Sequence, residues 1–393
     1  MPGPAGLVQK PMVFAQEARH LRRRGTSLCL AIHSYRFMAR GTSGGEDRPV
    51  WQAAARRLRM RRVSSGITSE FSLDPALLDA RQAGAGWAES WPPLGFLDLN
   101  TCPTDLTIGA LPPFPVIGVG NPAHPLAVRL DALVEEPISA SALVRQVTRT
   151  PHAAAVAIQL LRALNGMECE PALSLESCSY GLLQGSAEFG AWLAARPPVT
   201  RPSPDGRLTV ERHDSTLHVT IDRPQAHNAI NRTLRDQLCE AFSLADLDRE
   251  IRSIKLRAVG TVFSTGGDLE EFGTTRDPAT AHLIRSRSLP ARMIMRRAEI
   301  LDVHVQGACI GAGLEMAAFA QRLTATPDAW FQLPELSMGL IPGAGGCVSV
   351  PRRIGRHRAA LLILSGRRIN ATTALRWGLL DAIEDSTDGL AGI

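Results

Sequence analysis

Lysine is nearly missing from this 393-residue chain: Lys10 and Lys255 are the only two, so arginine carries almost all of the positive charge. Together with abundant alanine, glycine and proline, this bias reads as GC-rich coding and suggests a bacterial source. Aromatic residues make up only 5%; Phe272, Trp330 and Phe331 are read as core residues rather than pocket walls. No run approaches the roughly eighteen apolar residues of a membrane-spanning helix. The seven cysteines form no C-x-x-C pair, which argues against a zinc site or a disulfide framework and for reduced thiols in the cytoplasm. No metal site is expected. No secretory signal is expected either, because the short apolar patch at 28–32 follows a charged stretch without a credible cleavage region.

The net charge of +5 is unevenly placed. Residues 1–62 hold twelve Arg and Lys10 against Glu17, Glu46 and Asp47, a net +10, so the remainder sums to −5. The basic character belongs to this head, which weakens a nucleic-acid role for the rest of the chain. The head, with Arg22-Arg23-Arg24 and Arg61-Arg62, reads as disordered or as an upstream extension before a natural start at Met60. A mitochondrial-type transit peptide and an RNA-binding arm stay open beside it.

Residues 63–195 read as a smaller mixed α/β domain of unknown role. Short strands are expected at 96–99 and 115–119, and helices at 139–148, 151–165 and 175–195. The segment 196–206 is proline-rich and polar, as a linker is. From 207 to 393 strands and helices alternate: a hairpin turning at Asp214-Ser215, a helix over 228–247, a strand at 254–259, a helix over 282–297 and a strand at 303–305. That alternation predicts an α/β layer fold with crossover helices.

Two glycine-rich turns carry the chemistry. Phe263-Ser264-Thr265-Gly266-Gly267-Asp268-Leu269 ends a strand and starts a short acidic helix. Gly311-Ala312-Gly313-Leu314-Glu315 opens a second helix, whose first amides lack intrahelical partners and sit at the positive end of its dipole. One amide from each turn could hold the oxyanion of a thioester enolate. Glu315 and Glu335 lie twenty positions apart, the second followed by Pro342-Gly343-Ala344-Gly345-Gly346. Taken singly, the ordinary readings are a favourable charge on a helix N-terminus and a solvated loop residue. With both turns in order, a pair of carboxyls handling a proton and a water is favoured. His227, His282 and His304 join no acid/base spacing.

These segments resemble the crotonase superfamily, also called the enoyl-CoA hydratase/isomerase family, over about residues 207–384. The stretch from Asp222-Arg223-Pro224 to Asn228-Ala229 is similar to the family's R-P-x-x-x-N-A segment, the two glycine turns to its oxyanion loops, and Leu333-Pro334-Glu335 to its second glutamate. The resemblance implies a ββα spiral core. It implies that the Gly267 and Ala312 amides form the oxyanion hole, with alanine at a usual glycine position keeping its N–H. It implies that Glu315 and Glu335 are catalytic and that the Gly343 amide positions water. Arg223, Ala226, Thr265, Gly266, Asp268, Leu269 and Gly311 would contact the CoA thioester, with arginines such as Arg223 replacing the lysines that bind CoA phosphates in relatives. The implied activity is hydration of a 2-enoyl-CoA, with coenzyme A as part of the substrate and no separate cofactor. An isomerase, a decarboxylase, a cofactor-independent oxygenase and a non-catalytic or RNA-binding relative are the alternatives. A trimer or hexamer is implied too. The family's further helical segment after a Gly-Leu-Leu-Asp-like region has little room beyond Gly378-Leu379-Leu380-Asp381, and the N-terminal domain is expected to cover that surface.

Overall fold

The computed structural model describes residues 71–73, 92–197 and 203–385, all within one compact unit, Met60–Ile393. The arginine-rich head, Met60 and the middle of the proline-rich linker lie outside the described residues. In the N-terminal part, β1 (Gly95–Asp98), β2 (Val116–Val119) and β3 (Ala132–Leu133) form a small parallel sheet. Four helices follow: α1 (Ala140–Val147), α2 (Pro151–Ala163), α3 (Cys169–Gln184) and α4 (Ala187–Ala194). Ser139 caps α1, its hydroxyl accepting from the Ala142 amide, and proline starts α2, where a missing N–H costs nothing. The helix expected over 175–195 is two helices. Ser186 ends the first by capping the second, accepting from Phe189 N at 3.2 Å, and a serine hydroxyl that captures an orphan amide starts a helix more readily than it continues one.

The larger part is built on a six-stranded sheet in the order β12 (Ala382–Ile383), β9 (Arg322–Ala325), β7 (Leu301–Val305), β6 (Ser253–Ala258), β5 (Thr216–Asp222) and β4 (Arg207–His213). Its first strands, β4 (Arg207–His213) and β5 (Thr216–Asp222), make the expected hairpin. Leu217, Val219 and Ile221 of β5 point inward, as do Ile254, Leu256 and Ala258 of β6 (Ser253–Ala258), the period of two that a half-buried strand requires. Between them α5 (Arg232–Leu247) buries Leu234, Leu238 and Phe242. This helix begins four residues later than expected. Asn228 adopts φ 54°, and Asn231 supplies the cap. The helix expected over 282–297 is also split, into α6 (Pro278–Arg287) and α7 (Pro290–Ile294), with a 3-10 turn after it. Pro290 has no N–H to donate and forces Leu289 into an extended conformation, φ −100° and ψ 113°.

Strand β7 (Leu301–Val305) leads to β8 (Ala308–Ile310) and α8 (Ala312–Ala317). Then come β9 (Arg322–Ala325), β10 (Trp330–Gln332), α9 (Gly346–Ser365), β11 (Ile369–Asn370), α10 (Ala371–Trp377) and β12 (Ala382–Ile383). Strands β11, β10 and β8 form a second, three-stranded sheet. One apolar core runs from Ile117, Leu143 and Leu161 through Leu256, Val303 and Leu361. The N-terminal helices are therefore packed into the same interior as the larger sheet, chiefly against α9. Polar ties reinforce this: Arg358 pairs with Glu135 at 2.9 Å, and Arg356 donates to Leu130 O at 2.8 Å. Among the described residues no helix is long and apolar enough to cross a membrane.

Candidate active site

The first glycine turn is held from below. Asn228 is fully buried; its Oδ1 accepts from Arg223 N at 2.8 Å, and its amide group donates to Val259 O and Val262 O at 2.9 and 2.7 Å. Ser264 donates to Asn228 O and accepts from Gly266 N. The two turns are then stitched together, Ser264 N to Ala308 O at 3.1 Å and Ile310 N to Ser264 O at 2.9 Å. This brings Gly267 and Ala312 onto one wall of a cavity of about 710 Å³. Ala312 is the first residue of α8, so its N–H has no partner within the helix. Among the described residues neither amide has a backbone acceptor.

Glu315 and Glu335 face the same cavity, 2% and 7% exposed. Glu315 sits one turn into α8, and its Oε2 accepts from Ala344 N at 2.6 Å and Gly346 N at 2.8 Å. Burial raises its carboxyl to about 7, against the pull of those two amides. Glu335 starts a 3-10 turn after Pro334. Its Oε2 is buried with no hydrogen-bond partner, and burial followed by the charge of Glu315 holds its proton well above the usual carboxyl range. Gly311 is required where the two elements meet. Its φ is 48°, and a Cβ there would stand 2.6 Å from Glu335 Oε1. Gly346 has a similar constraint, since a Cβ would come within 2.5 Å of Glu315 Cγ.

Six of the residues singled out in the sequence therefore line one cavity: Gly267, Asp268, Ala312, Glu315, Glu335 and Gly343. The other six do not. Arg223 is 1% exposed, pairing with Asp268 at 2.7 Å and donating to Pro204 O and Ala229 O. Buried against a carboxylate and backbone carbonyls, this guanidinium ties the end of the linker to the first glycine turn. Thr265 spends its hydroxyl on His227 O, Gly266 packs against Ile310 O, and Gly311 packs against Glu335. Ala226 and Leu269 also stand outside the cavity. Phe272, read as core, is half-buried on the cavity wall and meets Trp192 edge-on at 5.9 Å.

Several of the residues that sequence reasoning missed come from the N-terminal helices. Tyr180 and Gln184 of α3 and Phe189 of α4 line the cavity. Tyr180 lies against Gly343 so closely that a Cβ at that glycine would fall 2.2 Å from its ring. Burial raises the Tyr180 phenol above its ordinary value; nearby Arg285 opposes that, and Glu315, Glu335 and Glu176 reinforce it. Arg285 stacks on the Tyr180 ring at 4.6 Å and donates to Ser177 and Gln184. Glu176, fully buried, accepts from Gly345 N and Cys347 N, both at 2.8 Å. No motif in the N-terminal sequence marks these positions.

The site thus holds a buried carboxyl pair and two amides that have no backbone acceptor among the described residues. The family model for enoyl-CoA hydratase/isomerase matches residues 211–390. The 2,3-dehydroadipyl-CoA hydratase of Escherichia coli (strain K12) is 33% identical over 176 residues, covering 45% of this chain and 68% of that protein. A Mycobacterium leprae (strain TN) protein named "Probable enoyl-CoA hydratase echA8" is 32% identical over 178 residues, covering 45% and 68%. Among solved structures, Pseudomonas aeruginosa AtuE aligns at 30% identity and TM-score 0.43, over 47% of this chain and 72% of its own. The chain belongs to the enoyl-CoA hydratase/isomerase family, and it is an enzyme of that class acting on an acyl-CoA.

Proposed function

We propose that this enzyme adds water across the double bond of a 2-enoyl-CoA, using Glu315 and Glu335 on one water. The observation that carries the reading is the placement of both carboxyls in one cavity with the Gly267 and Ala312 amides. The thioester oxygen would accept from those two amides, which then carry the charge that develops as an enolate forms. The two glutamates differ in their surroundings. Glu315 Oε2 accepts two amides, which favour its charged form, whereas Glu335 Oε2 has no hydrogen-bond partner, and burial followed by the charge of Glu315 favours its neutral form. Glu315 is therefore assigned to draw a proton from the water that attacks carbon 3, and Glu335 to deliver one to carbon 2. The Gly343 amide on the same wall is assigned as a second hold on the water. Coenzyme A enters as part of the substrate, and the scheme uses no further cofactor.

The test is the loss of enoyl-thioester absorbance with crotonyl-CoA and longer 2-enoyl-CoAs, in the native enzyme and in Glu315→Gln and Glu335→Gln. Each variant is expected to lose at least about a hundredfold in kcat. The reading fails if no enoyl thioester is hydrated, or if both variants keep the full rate.

A further inference from the structure

The turn that holds Glu315 is gripped from two sides. Four consecutive amides point alternately to two carboxylates. Ala344 and Gly346 donate to Glu315 Oε2, while Gly345 and Cys347 donate to Glu176 Oε1 and Oε2. The turn is also the N-terminus of α9, where amides have no partners of their own. Glu315 therefore has a defined position only as far as residues 344 and 346 are fixed. What fixes them is a carboxylate on α3, a helix of the N-terminal segment. Two contacts hold that helix in place, one from a neighbour and one made by its own Tyr180. Arg285 of α6 donates to Ser177 O, Ser177 Oγ and Gln184 Oε1, and the Tyr180 ring covers Gly343.

We infer that Glu176 is a positioning residue of the active site: it locks the 344–347 turn in the form whose remaining amides aim the Glu315 carboxyl into the cavity. The N-terminal segment is thereby part of the catalytic centre rather than an attachment to it. The kinetic part of the inference rests on the hydratase reading; the structural part does not.

A glutamine at 176 has one acceptor oxygen where the turn asks for two, so Glu176→Gln leaves one of the two amides facing an NH2 group. An aspartate keeps both acceptors on a shorter arm. Two measurements on the full chain separate the possibilities. In the first, hydrogen–deuterium exchange is followed by mass spectrometry over a peptide spanning 343–347, with the second half of α9 around Leu361 as internal reference. Faster exchange confined to the turn is expected in Glu176→Gln. In the second, kcat and KM are measured with crotonyl-CoA or whichever 2-enoyl-CoA is hydrated. A misaimed Glu315 lowers kcat by about tenfold to a hundredfold and leaves KM within about threefold, and Glu176→Asp recovers part of kcat. Unchanged exchange in the turn overturns the inference. Faster exchange with native kcat also overturns it, because the clamp then steadies the turn without aiming Glu315. If the native enzyme hydrates no enoyl-CoA, the hydratase reading falls, and the clamp stands or falls on the exchange result alone.

Discussion

The Glu315→Gln substitution removes a charge but almost no volume, and its effect on stability can be worked from the site. Glu315 Oε2 alone accepts both the Ala344 and Gly346 amides, so the carbonyl oxygen of a glutamine can keep both bonds. What changes is the titration. The folded protein holds the Glu315 proton to about pH 7, against 4.5 for the free side chain. A carboxyl whose affinity for protons rises on folding contributes stability that is present below pH 4.5 and lost as the pH climbs through 7. The loss amounts to about 3 kcal/mol at 1.36 kcal/mol per pH unit. Glutamine has no such loss. Urea unfolding at pH 5 is expected to give native and Glu315→Gln proteins within about 1 kcal/mol of each other. At pH 8 the variant is expected to be more stable by about 3 kcal/mol while hydrating poorly. Glu335 moves the result in the same direction, since the charge of Glu315 also raises its carboxyl. A variant less stable than the native protein at pH 8, or a gap of equal size at both pH values, would refute the reasoning.

Ala312→Pro removes one amide of the proposed oxyanion hole at a helix position that tolerates proline; kcat should fall by on the order of a hundredfold with the far-UV circular dichroism unchanged. Gly311→Ala forces a side chain into φ 48° and against Glu335, so chemical denaturation should show a loss of about 1–3 kcal/mol, accompanied by lower kcat. Asn228→Ala strips the partners from Arg223 N, Val259 O and Val262 O; a loss of about 3 kcal/mol is expected in the same assay. Arg223→Lys should lower thermal stability, because a lysine cannot serve Asp268, Pro204 O and Ala229 O together in the fixed geometry of a guanidinium. If Arg223 instead met CoA phosphates, that variant would raise KM at native stability.

Strands β4 to β7 of the larger sheet could be read from the sequence because β5 and β6 alternate cleanly, whereas the short β9 and β12 could not; Glu315 stood out because it closes a glycine-rich turn, and Glu335 because a second glycine run follows it. Helix ends were harder. Ser186 and Asn231 each trade helix continuation for a capping bond, and Pro290 stops a run whose apolar spacing carries on past it. The site was only partly visible, for a different reason. Arg223, Thr265 and Gly311 were singled out in the sequence, but the structure places them outside the cavity, with contacts made inside the protein that no residue pattern reports. Glu176 and Tyr180 could not be found from spacing at all. Glu176 reads in sequence as one more polar position on α3, and only tertiary packing turns it toward the glycine turn.

The grip of Glu176 on Gly345 spans 169 positions of chain. Contacts that distant carry the largest loop-closure entropy and form after local structure has gathered. Helical content should accordingly return early in refolding and enoyl-CoA turnover late. Mild denaturant should reverse the order, silencing the enzyme before the bulk of its secondary structure melts.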